Sequence, residues 1–203
     1  VADLSNLVAS YFFDAIRDEY DDHVNPGRDT HRCMAQAQLI RTAELLGVAV
    51  DALDVEDSEQ LDAINSWVAA GYMDAGGESQ CTVERAAFFG MGYHLGSEVL
   101  ADTEFSVLDE YMRAKWPDLV QSLMRSTLVL GGATHRCYAW VGVHSGHGAA
   151  VEADHFDKAL EGVATAMRYL HPGSQEQLDA ARASVAEGFR LFAFDHRRFF
   201  AMK

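Results

Sequence analysis

Two pairs of histidine and glutamate have the spacing that brings side chains together on one helix. Glu152 and His155 are three residues apart, and His94 and Glu98 are four apart. Such residues share a face, because an α-helix advances about 100° per residue. Glu-x-x-His is a pair with which bundle helices direct two ligands at one metal ion. The alternative for each pair is a core histidine bonded to a neighbouring acid.

The last apolar segment adds a third group of this kind. An apolar stripe of helical spacing runs from Val185 to Phe199, and His196 stands in it where an apolar side chain is expected, with Asp195 beside it. The alternative is that His196 is an amphipathic residue at the bundle end. If these segments pack together, their mixed nitrogen and oxygen ligands favour non-haem iron or manganese over structural zinc. The predicted metal ligands are His94, Glu98, Glu152, His155, Asp195 and His196. Whether His144 or Glu187 joins them is left open.

The elements that must position these residues are helices. Apolar residues recur with the helical period almost throughout the chain, and only three prolines interrupt it. The pattern predicts an all-α fold, a single bundle of about seven helices that forms one domain over residues 1–203. Several residues have the types that begin or end helices. Those expected are Gly47 at a C-terminus, Asp57, Thr82 and Ser174 as N-caps, and Pro117 at a first helical position.

Two further expectations concern the middle of the chain. The helix that begins at Pro117 is predicted to reach about Leu130, where Gly131 and Gly132 break it. The segment 135–170 is predicted to be mostly helical, with bends at its glycines. On such a helix His144, Glu152 and His155 share the core face, whereas His147 and Asp154 point elsewhere.

Charge and cysteine usage limit the class of protein. The net charge of −15 argues against nucleic acid or an anionic membrane surface as a partner. No apolar run reaches the roughly 18 residues that a membrane span requires. Three scattered cysteines indicate a reducing compartment, and residues 1–22 lack the basic start and continuous apolar core of a signal peptide. We therefore expect a cytoplasmic protein with a small-molecule substrate, and a homodimer as a further option.

Four segments carry a family resemblance: GYHLGSEVLADTEF (92–105), YAWVGVH (138–144), EADHFDKALEG (152–162) and EGFRLFAFDHRRFF (187–200). Their layout resembles the haem-oxygenase-like superfamily, which includes the TenA thiaminase-type proteins and the CADD-like non-haem iron oxidases. The iron-oxidase branch implies a histidine and carboxylate di-iron site in the bundle centre, matched here by His94, Glu98, Glu152 and His155. The last helix departs from the family, which usually has His-x-x-x-Asp there, so a one-metal or metal-free pocket is also open.

The resemblance implies a metal-dependent oxidase or oxygenase that acts on a small organic substrate. It would use one or two iron ions, or manganese, and Glu152 would be its catalytic residue. A metal-free TenA-like enzyme that acts on a small heterocycle or amine is the first alternative. Its acid or base would be Glu152, with a pKa raised by burial, and Cys137 loosely matches the nucleophilic thiol that this activity needs. The second alternative is a non-catalytic protein that binds a small ligand.

Overall fold

The computed structural model describes residues 2–20, 30–50, 59–73, 75–77, 81–145, 151–169 and 174–202 of the chain. Within these ranges, the side chains at positions 2, 3, 14–20, 102 and 151–153 are not described. Asp57 and His147 lie outside the described residues, so the predictions made for them stay predictions.

The described chain is mostly helical, as predicted. Its elements, in chain order, are α1 (Ala2–Tyr20), α2 (His31–Leu46), α3 (Glu59–Met73), α4 (Val83–Lys115), α5 (Pro117–Arg125), β1 (Thr127–Leu130), β2 (Ala133–Arg136), α6 (Ala139–His144), α7 (Val151–Tyr169) and α8 (Gln175–Ala201). Among the described residues, no helix is both long enough and apolar enough to cross a membrane.

The chain forms two compact units. Unit 1 comprises Val1–Phe12, Val55–Leu100 and His155–Lys203, and unit 2 comprises Phe13–Asp54 and Ala101–Asp154. The divisions fall within α1, α4 and α7, so each of these helices contributes residues to both units. A single domain over residues 1–203 stays a prediction.

The predicted capping and first-turn residues that lie within the described chain are confirmed. Gly47 ends α2 with φ +69°, a left-handed conformation that glycine adopts without a steric cost. Pro117 is the first residue of α5, where its missing N–H costs no helical hydrogen bond. The Thr82 hydroxyl accepts a hydrogen bond from the Arg85 amide near the start of α4. Ser174 and Gln177 form a capping box at α8.

The prediction of a helix up to Leu130 is wrong, because a β-hairpin begins at Thr127. Strands β1 and β2 pair antiparallel, with Leu130 opposite Ala133. Gly131 and Gly132 turn the chain between them at φ +58° and +85°. Positive φ at two successive positions is typical of the type I′ turn, whose twist matches that of a hairpin. The two glycines that were expected to break a helix therefore connect two strands.

The described part of the segment 135–170 is mostly helical, as predicted, but the expectation that it forms one bent helix is wrong. Residues up to Arg136 belong to β2, α6 has only six residues and ends at His144, and α7 begins at Val151. His144 and His155 therefore lie on separate helices, and the shared face expected for them does not exist. Asp154 is exposed, as expected.

Unit 2 packs α2, α5, α6 and the hairpin around an apolar core. The buried residues of that core are Ala37, Met112, Val120, Leu123, Cys137, Tyr138 and Val141. A polar group is buried with them, since Asp109 is fully buried, and both of its oxygens lie within hydrogen-bonding distance of the single Arg113 Nε–H, at 2.9 and 2.7 Å. Tyr138 also donates a hydrogen bond to it, at 2.7 Å. These bonds compensate for the removal of a charged carboxylate from water.

Unit 1 depends on a close approach between α4 and α8. A Cβ atom at Gly92 would overlap the carbonyl oxygen of Val185, and one at Gly188 would overlap the carbonyl oxygen of Phe89. Only a residue without a side chain fits at either position while the two backbones are this close. The apolar core beside this contact contains Leu95, Ala159 and Val163. The packing therefore fixes the part of α4 that carries His94 and Glu98.

Candidate functional site

Three of the predicted ligands come together in unit 1. His94 and Glu98 lie one turn apart on α4, with His94 Nε2 at 3.3 Å from Glu98 Oε1. His155, from α7, places its Nδ1 at 3.6 Å from the other carboxylate oxygen of Glu98. The exposed fractions of these side chains are 16% for His94, 11% for Glu98 and 1% for His155. The result is a buried carboxylate between two imidazole rings, which we call the His–Glu–His cluster.

The second ring nitrogen of His94 has a partner from α3. The Tyr72 hydroxyl lies 3.1 Å from His94 Nδ1, within hydrogen-bonding distance. The Phe12 ring of α1 packs against the same imidazole, with ring centroids 5.5 Å apart. These two contacts hold the ring in one orientation, so that its Nε2 faces Glu98.

The Nε2 atom of His94 is buried but forms no hydrogen bond with any described residue. It lies within ion-pair distance of Glu98 Oε1, yet the pair lacks the geometry of a hydrogen bond. A buried ring nitrogen in this state loses the hydrogen bond that water would supply. The atom is therefore placed to bind something else, a proton donor or a metal ion.

The surroundings of the cluster keep His94 neutral. Burial, together with the charge of His155, lowers the pKa of His94 from 6.5 to about 4. At pH 7 the ring therefore has no positive charge, and one of its nitrogens carries a free electron pair. Burial also raises the pKa of Tyr72, with a further contribution from the Glu98 charge. Tyr72 thus remains a neutral hydroxyl beside a neutral imidazole.

The structure gives other contacts to the remaining predicted ligands. Asp195 accepts hydrogen bonds from the Tyr93 hydroxyl and from Arg198 Nη1, both at 3.4 Å. His196 stacks on Phe192, with ring centroids 5.9 Å apart. The side chain of Glu152 lies outside the described part of α7, so its role as ligand and catalytic residue stays a prediction.

His144 and Glu187, which the sequence neither assigned to the metal site nor excluded from it, have structural contacts of their own. His144 lies in unit 2, where its ring packs against Trp140, Phe105 and His31. Glu187 forms an ion pair with Arg85 at 2.8 Å. Neither arrangement gives a reason to assign these residues to the His–Glu–His cluster.

Cys137 is placed poorly for a nucleophile. Its side chain is fully buried in the core of unit 2, and burial raises the pKa of its thiol. A thiol in this setting remains protonated at neutral pH, whereas the thiolate is the reactive form. The placement gives no support to a TenA-like reaction through Cys137.

Tyr72 is the contributor to the site that the sequence did not indicate. It stands at the end of α3, next to a buried glycine, Gly71, and 42% of it is exposed. Its apolar surroundings and helical position resemble those of many other aromatic residues in the chain. Only the packing of α3 on α4 reveals its hydrogen bond to His94.

The cluster has the donor types of a metal site. Two histidines and one carboxylate are the protein ligands of many non-haem Fe(II) centres. Neighbouring ligands are about 3.0–3.4 Å apart when each lies about 2.1 Å from the ion, and the His94–Glu98 separation of 3.3 Å falls in that range. Across the described side chains, however, no group of three His, Cys, Asp or Glu residues is placed to hold a metal ion. The donor types fit an ion, but their placement does not complete a site.

No family model, curated protein or solved structure matches this chain. The resemblance to the haem-oxygenase-like superfamily therefore stays a proposal, and the His–Glu–His cluster is the feature of the described chain that bears on function.

Proposed function

We propose that the chain is a helical metal-dependent oxidase or oxygenase whose metal centre is built on the His–Glu–His cluster. One observation carries this proposal: a neutral imidazole, His94, presents a buried Nε2 without a hydrogen bond beside the buried carboxylate of Glu98. A metal ligand must offer a free electron pair, and the lowered pKa of His94 preserves one at neutral pH.

Each residue of the cluster has a defined part in this proposal. His94 and His155 are nitrogen ligands, and Glu98 supplies the negative charge that compensates a cation. Tyr72 bonds to the other nitrogen of His94 and orients the ring, which is a common role of residues behind a metal ligand. The described side chains do not form a complete set of three ligands. The proposal therefore assigns the next ligand to Glu152, one helical turn before His155 on α7.

The ion would be iron, one or two, with manganese as the alternative. When bound, it would supply the redox chemistry with O₂ that amino-acid side chains lack. The substrate class is a small organic molecule. The same proposal includes a cytoplasmic location, no nucleic-acid or membrane partner, and the option of a homodimer. It also includes the haem-oxygenase-like topology.

The test combines metal loading with oxygen consumption. The protein is treated with a chelator, loaded with Fe(II) under anaerobic conditions and then exposed to air in an oxygen electrode. We expect the wild type to retain iron after desalting and to consume O₂, and Glu98→Gln to do neither. Glu110→Gln is the matched control, because it removes an exposed carboxylate from the same helix. A wild type that retains no iron, and no manganese after the same treatment with Mn(II), contradicts the proposal.

A metal-free acid–base centre is the second candidate. It is favoured by the incomplete ligand set and by the Tyr72 hydroxyl at hydrogen-bonding distance from the neutral His94 ring, which pairs a proton donor with a base in a buried site. It predicts that catalytic turnover of a small heterocycle or amine survives chelation and is lost in His94→Gln. A non-catalytic ligand-binding protein would show saturable binding without turnover.

A further inference from the structure

A cavity of unit 1, away from the His–Glu–His cluster, lies between α3, α4 and α8, with a volume of about 150 Å³. Aromatic rings and one buried carboxylate form much of its lining: Trp67, Tyr93, Phe192, Asp195, His196 and Phe199. None of these residues belongs to the His–Glu–His cluster. A cavity of about this volume holds a ligand the size of benzene.

Asp195 gives this apolar cavity a negative charge. The residue is 6% exposed, and its hydrogen bonds from Tyr93 and Arg198 are both 3.4 Å long, at the outer limit of such bonds. A carboxylate can accept about four hydrogen bonds. Burial raises the pKa of Asp195 above its ordinary value, against the opposing effects of the Arg198 charge and of the two hydrogen bonds. A cation in the cavity would stabilise the buried Asp195 carboxylate further.

The chain already holds a cation against one wall of this cavity. The Arg198 guanidinium lies 3.9 Å from the centre of the Trp67 ring, and its Nη1 reaches Asp195. The Arg198 side chain is 45% exposed, so its guanidinium can move into solvent when another cation replaces it beside Asp195. The combination of an aromatic face and a carboxylate thus has the chemistry that attracts organic cations.

We propose that this cavity binds a small methylated ammonium ion, whose charge pairs with Asp195 and whose methyl groups contact the aromatic rings. Ca²⁺ and Mg²⁺ take about six or more oxygen ligands, and a primary ammonium donates three hydrogen bonds that need acceptors. A methylated ammonium needs neither and is attracted to the faces of Trp67 and the other rings. The net charge of −15 further favours the approach of a cation.

The experiment compares choline with 3,3-dimethylbutan-1-ol, which has the same shape without the charge. Binding is followed through the indole N–H signal of Trp67 in NMR titrations, assigned with Trp67→Phe. We expect choline to bind at least about tenfold more tightly than the neutral alcohol. Equal affinities, or no response of Trp67 to choline, would overturn the proposal.

Three variants locate the charge effect. Asp195→Asn should weaken choline binding about tenfold and leave the alcohol unaffected. Asp179→Asn, which removes an exposed acid from the same helix, is the control and should change neither affinity. Arg198→Gln removes the resident cation and should strengthen choline binding. If Asp195→Asn does not fold, as judged by circular dichroism, an unchanged or weaker affinity in Arg198→Gln overturns the proposal. The outcome is independent of iron binding at the His–Glu–His cluster.

Discussion

The close approach of α4 and α8 makes Gly92→Ala a severe test of the packing behind the site. The added Cβ would overlap the carbonyl oxygen of Val185, a backbone atom that no change of rotamer can move aside. Overpacking costs about 1–3 kcal/mol and sometimes more, and the rigid neighbour places this variant at the upper end. Replacement of a helical glycine by alanine returns roughly 1 kcal/mol of helix propensity. The net destabilisation is therefore about 2 kcal/mol.

Urea unfolding followed by circular dichroism measures this change, and a thermal scan should show a decrease in Tm of about 4–8 °C. Gly188→Ala should behave similarly, because its Cβ would overlap the Phe89 carbonyl oxygen. Gly142→Ala is the matched control: it lies in α6, where a Cβ meets no described atom within 4 Å. It should be more stable than the wild type by roughly 0.5–1 kcal/mol. A Gly92→Ala protein as stable as the wild type would refute the packing argument.

Three further predictions concern a buried histidine, a buried carboxylate and a helix cap. In metal-free protein the pKa of His94 is lowered to about 4, so the unfolded chain binds more protons than the folded one between about pH 4 and 6.5. The free energy of unfolding therefore decreases as the pH falls through that window. The decrease should be up to about 3 kcal/mol larger in the wild type than in His94→Gln. Urea unfolding that gives the same pH dependence for both proteins would contradict this. Tyr138→Phe removes a 2.7 Å bond to the buried Asp109 and should cost about 2 kcal/mol in the same assay, whereas an unchanged midpoint would show that the bond contributes nothing. Ser174→Ala should cost about 1 kcal/mol through loss of the capping box, while Ser122→Ala, at an exposed position within α5, should be nearly neutral; equal effects would rule out the cap as the cause.

Local signals predicted much of the fold, because they act within a few residues. Gly47, Pro117 and the Ser174 capping box set helix ends through their own backbone and side-chain chemistry. The hairpin was missed because Thr127–Leu130 is only four residues long, too short to distinguish alternation from a helical pattern. Two adjacent glycines are compatible with a helix break and with a type I′ turn. The pairing of β1 with β2 decided between them.

The site was predictable in part for the same reason. His94 and Glu98 share a turn of one helix, so their proximity follows from spacing alone. The contact of His155 with Glu98 requires α7 to pack beside α4, and the sequence contains no direct measure of that packing. Tyr72 is harder still, since its hydroxyl reaches His94 from a third helix. Long-range contacts of this kind depend on how closely the helices pack. The close approach of α4 and α8 at Gly92 and Gly188 is an example, and only the assembled structure reveals it.

The central proposal is that a metal ion binds at His94, Glu98 and His155, and an anaerobic Fe(II) titration of chelator-treated protein tests it most directly. His155→Gln and His135→Gln are the variants to compare, because both histidines are 1% exposed and only His155 belongs to the cluster. We predict saturable Fe(II) binding in the wild type and in His135→Gln, with at least about tenfold weaker binding in His155→Gln. Equal affinity in the two variants, or no saturable binding in the wild type, would contradict the account.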